Sequence, residues 1–106
     1  MALIKYQIDE RAFQKSTGAE FTSKKGNHFR KLAVSGLKAL LVDVSEQSYG
    51  NKALAHRLKG IVSACGLIEV ALVCQKIERY DGVINEEQTR KIISDMTSNA
   101  IRSLSN

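Results

Sequence analysis

The chain has 106 residues, the length of one domain, and a chain this short buries only about two-thirds of its unfolded surface, so one core over residues 1–106 is expected and a deep interdomain cleft is not. Apolar residues at 43% and charged residues at 25% exclude general disorder, and no apolar run approaches the roughly 20 residues that span a bilayer. The formal net charge of +5 raises nucleic-acid binding, yet the cations are scattered along the chain, with no basic run of five or more and no aromatic interleaving to stack bases.

Residues 1–10 mix Lys5, Asp9 and Glu10 among apolar positions and do not read as a secretory leader, so a cytoplasmic location is expected. Proline and tryptophan are absent and aromatics are few, which favours long helices over strands. The first helix is expected from Asp9, a candidate N-cap, to just before Gly18. Residues 17–27 are polar, with Gly18 and Gly26, and read as a loop or as the frayed start of the second helix.

In that second helix Phe29, Leu32, Ala33, Gly36, Leu37, Leu40, Leu41 and Val44 recur in steps of three and four. Gly36 within the stripe implies a close helix–helix approach. Ser48-Tyr49-Gly50-Asn51 ends this helix and begins the third, which runs from about Lys52 to Cys65 and closes at Gly66. The fourth is expected from about Leu67 to Tyr80, with Val70, Val73, Cys74 and Ile77 on one face. Asp81-Gly82 is a turn, and Asn85 with Gln88 three positions on has the pattern of a capping box opening a last helix. Ile92, Ile93, Met96, Ala100, Ile101 and Leu104 are the apolar positions of that helix. Short connections predict antiparallel neighbours, hence an all-α, up-and-down four-helix bundle with a short additional N-terminal helix. Cys65 and Cys74 lie within apolar patterns, without Cys or His at metal-ligand spacing, and read as reduced core residues.

The third helix carries the chemistry. At about 100° per residue, Leu58, Ile61 and Cys65 fall within about 40° of Leu54 and form an apolar seam. His56, Lys59, Gly60 and Ser63 cluster on the opposite face, turned away from the core. A lone histidine there is ordinarily a solvated side chain; the company raises its weight. Lysine one turn on can bond a phosphate, and an exposed glycine in mid-helix costs stability while leaving room for another protein to approach. No carboxylate shares this face. His28, by contrast, reads as solvated, and Glu86 and Glu87 as favourable charges at a helix start.

Ala55-His56-Arg57-Leu58-Lys59-Gly60 resembles the signature of the histidine-containing phosphotransfer (HPt) family, and Gly66, Val70, Cys74, Ile77 and Glu78 continue the resemblance. It is sharp from about Leu54 to Glu78; in the flanking helices only the apolar pattern agrees. Arg57, where relatives carry a small or polar residue, and the basic charge are departures that bear on partner choice.

The resemblance implies that His56 accepts and donates a phosphoryl group, with Lys59 stabilising the phosphate and Gly60, Ser63 and Arg57 meeting the partner. It implies response-regulator receiver domains as partners, with a sensor kinase in the same chain as one arrangement. No cofactor of its own is implied, and Mg²⁺ would come on the receiver. No Gly-rich phosphate loop occurs, so autophosphorylation from ATP is not expected. The alternatives are a helical adaptor that is not phosphorylated and, behind it, a basic nucleic-acid-binding domain, which would want its cations massed on one face; neither nucleic acid nor membrane is an expected partner.

Overall fold

The computed structural model describes residues 4–105 and is all-helical there, with no strand among the described residues. Met1–Leu3, part of the segment read as unlike a leader, lie outside them. Five helices follow in order: α1 (Glu10–Thr17), α2 (Lys24–Glu46), α3 (Asn51–Ala64), α4 (Ile68–Arg79) and α5 (Glu86–Ser105). None is long and apolar enough to cross a membrane. The principal extents are 43 × 26 × 20 Å.

Local chemistry sets the boundaries. The Asp9 carboxylate accepts from the Ala12 N–H at 3.0 Å to open α1, and Gly18 at φ 74° closes it. Ser23 caps α2 through the Gly26 N–H at 3.0 Å, so α2 begins inside the polar stretch 17–27, whose last residues are the start of the second helix and whose first are loop. Its far end turns at Gln47, a non-glycine residue at φ 56°. Asn85 accepts from the Gln88 N–H at 2.9 Å and starts α5.

Gly66 fixes the α3–α4 turn. Its φ is +80°, and a Cβ there would stand 2.3 Å from the Asp9 carbonyl oxygen. The Asp9 N–H donates to the Gly66 carbonyl at 2.8 Å, which ties the entry of α1 to that turn.

α3 lies along α4 and α2 along α5; α2 and α5 also touch α3, whereas α4 and α5 meet only briefly. Phe13, Leu37, Leu40, Leu54, Leu58, Val62, Val70, Ile93 and Met96 are fully buried between them. Residues 4–8, which precede the first helix, lay Ile4, Tyr6 and Ile8 against this core.

Five apolar positions differ from the sequence reading. The buried side of α3 is broader than the seam, taking in Ala55 and Val62 while Ile61 is only half-buried, because α3 packs against α2 and α5 as well as α4. Leu32 is 56% exposed; it stands about 140° around α2 from Leu37. Ile92 is exposed beside the brief α4–α5 contact. At Gly36 the close approach does occur, with the Ile61 Cδ1 at 3.3 Å from where a Cβ would be.

Cys65 and Cys74 are buried free thiols, and burial pushes them up to about 11 and about 12 respectively. The first turn of α5 holds the α2–α3 connection. Buried Asn51 donates to the Glu86 carbonyl at 2.9 Å and to its carboxylate at 2.8 Å. Arg90 donates to the carbonyls of Val44 at 3.3 Å and Tyr49 at 2.7 Å.

Candidate functional site

α3 buries Leu54, Ala55, Leu58 and Val62, and its rotation then turns His56, Gly60 and Ser63 to solvent. The His56 side chain is 71% exposed. Around Gly60 the space is open: an added Cβ would find nothing within 4 Å. This glycine is therefore not required by packing.

Lys59 departs from the sequence expectation. Its side chain does not simply face solvent but is 31% exposed, with Nζ 2.7 Å from Glu78 Oε1. Glu78, on the last turn of α4, is the residue that reading α3 alone does not supply. Its other oxygen, Oε2, lies 2.9 Å from His56 Nδ1. One carboxylate thus receives an imidazole and an ammonium from successive turns of the neighbouring helix.

The Lys59 ammonium, together with His56, holds the Glu78 carboxyl below the usual carboxylate range, against an opposing push from burial. An ionised carboxylate can only accept hydrogen bonds. The 2.9 Å contact then requires Nδ1 to carry the proton, and the neutral ring has its lone pair on Nε2. The geometry yields a nucleophilic nitrogen on an exposed ring fixed from behind by an anion.

Arg57 points away from this trio. Its guanidinium donates to Asp43 of α2 at 2.8 Å and sits 5.3 Å from the Tyr49 ring centroid. Ser63 is exposed two turns beyond His56. His28 is exposed on the first turns of α2, its ring 6.3 Å from that of Phe29. Glu86 and Glu87 lie in the first turn of α5. Among the described residues, no group of three or more His, Cys, Asp or Glu side chains is placed to hold a metal ion.

Glu78 had one signal in the sequence, its place in the apolar-Glu pair with Ile77, but its contact with His56 depends on how α4 lies along α3. Comparison of the chain with protein-family models, with curated proteins and with solved structures finds no match.

Proposed function

We propose that the chain is a histidine-containing phosphotransfer domain, an up-and-down four-helix bundle with a short leading helix whose His56 relays a phosphoryl group between response-regulator receiver aspartates. The observation that carries this reading is the exposed imidazole whose Nδ1 is held by Glu78, so that Nε2 is the nitrogen left to react.

Transfer begins with the Nε2 lone pair aligned on the phosphorus of an aspartyl phosphate. The N–P bond forms as the P–O bond to the aspartate breaks, and the aspartate leaves as a carboxylate. No proton has to leave Nε2. The ring, still protonated at Nδ1, becomes cationic as the bond forms, and the adjacent Glu78 carboxylate offsets that charge. Phosphoryl transfer of this kind asks for alignment and charge neutralisation more than for a base. Lys59, released from Glu78 Oε1, turns to the phosphoryl oxygens, and the return step reverses each movement.

Open space at Gly60 lets the receiver's pocket approach the ring. Ser63 contributes to the contact face, and Arg57 presents a cation braced by Asp43 at its edge. Mg²⁺ belongs to the receiver, and the phosphoryl group comes from a donor protein, not from ATP.

Incubation with a phosphorylated receiver should give an acid-labile, base-stable phosphoprotein. His56→Gln should abolish the label and His28→Gln should retain it. Label persisting on His56→Gln would overturn the assignment.

A further inference from the structure

A trough opens on the side of α4 turned away from Glu78. It lies where the end of α4, the 80–85 connection and the first turns of α5 meet, a groove of about 380 Å³ lined by Tyr80, Val83, Ile84 and Ile92 among others. A second groove, lined by Leu72, Gln75, Lys76, Arg79 and Tyr80, shares Lys76 and Tyr80 with the first, so the two form one surface. Leu72, Lys76 and Tyr80 follow one another at intervals of four along α4. Leu72, Tyr80, Val83 and Ile92 all expose 43% or more of their surface here. Apolar side chains gathered in this way mark a contact surface more often than chance exposure.

The charges select the occupant. Lys76 and Arg79 are the charged residues lining the two grooves, and neither groove is lined by an aspartate or glutamate. With its amide oriented to satisfy both groups, Gln75 accepts from the two terminal nitrogens of Arg79 at 2.8 and 2.9 Å, which lays the guanidinium along α4. A second copy docking through the same face would set Lys76 and Arg79 against themselves with no anion from the patch to meet them. Strand addition needs a sheet edge, and the described chain has no strand. Leu72, Lys76 and Tyr80, spaced one turn apart along α4, offer a helix-length stripe on which another helix can lie.

We propose that this trough receives an amphipathic helix of a partner protein, its apolar stripe on Leu72, Tyr80, Val83 and Ile92 and its acidic side chains beside Lys76 and Arg79. The surface lies about 160° around α4 from Glu78 to Lys76, so the inference stands apart from the phosphoryl chemistry.

The test is a titration of the isotope-labelled whole chain with two synthetic helical peptides of about four turns. Both carry leucines at i, i+4, i+7 and i+11, flanked in one by glutamates and in the other by lysines. The acidic peptide should shift the amide resonances of Leu72, Lys76, Tyr80, Val83 and Ile92. The basic peptide should bind about tenfold more weakly, as expected from two surface ion pairs. Replacing both cations, Lys76→Glu with Arg79→Glu, should invert that preference, and Leu72→Ser should weaken both peptides. If circular dichroism shows that Leu72→Ser loses helix, Ile92→Ser decides instead. Equal affinity for the two peptides, shifts centred elsewhere, or a concentration-dependent dimer that Leu72→Ser dissolves would overturn the proposal.

Discussion

Glu78 joins His56 and Lys59 of α3, and its replacement separates what each contact does. In Glu78→Gln the ring loses its anionic partner, and transfer to His56 should slow by about tenfold or more, the scale of a hydrogen bond to a charged group. Stability should respond with a definite sign. A carboxyl whose pKa is lower folded than unfolded contributes stability that is fully present above the unfolded value, about 4.3 for glutamate. That contribution is lost as pH falls through the lowered folded value. The stability gap between the native chain and Glu78→Gln should therefore be widest near neutrality and shrink below about pH 4. Urea midpoints at both pH values check this, and a gap independent of pH would remove the carboxylate from the account. The exposed placement of His56 and Gly60 was legible in the sequence because one helix fixes their relation, whereas the turn of Lys59 onto Glu78 was not. The Glu78 contact depends on the register between two helices.

Two glycines bracket what the helices require. Gly60 has open space beside it, so Gly60→Ala should raise stability by about 0.5–1 kcal/mol, the ordinary helix preference. Gly60→Glu should leave folding intact and weaken receiver binding. Gly66 is the opposite case: a Cβ would collide with the Asp9 carbonyl at a left-handed φ, and Gly66→Ala should destabilise by more than about 1 kcal/mol. Thermal denaturation of the alanine variants gives both signs, and a stabilised Gly66→Ala would contradict the packing described for the α3–α4 turn. Capping residues Asp9 and Asn85 were readable because a cap acts within three residues. The start of α2 was less so: its polar first turns carry no apolar period, and Ser23 identifies the boundary only once its hydroxyl is seen accepting from Gly26. Leu32 fits the spacing of three and four and still faces solvent, since a stripe this long covers more of the helix than its neighbours bury.

At the scale of the molecule, the all-helical character followed from composition and periodicity, while the unequal packing did not. The tight α3–α4 and α2–α5 contacts and the loose α4–α5 edge arise from long-range fits between side chains that no local pattern encodes. The buried thiols were foreseen because apolar neighbours surround both in the sequence. The Lys59 ammonium and the Glu78 carboxylate cancel, so the ion pair beside His56 adds no net charge to a chain whose net charge is +5. In the proposed relay, long-range attraction for an acidic receiver then comes from the scattered lysines and arginines, and counterions screen that attraction over about 10 Å at 0.1 M ionic strength. Raising ionic strength should accordingly lower the bimolecular rate of encounter while the unimolecular rate within the docked complex changes little, a separation that rapid-quench kinetics resolves.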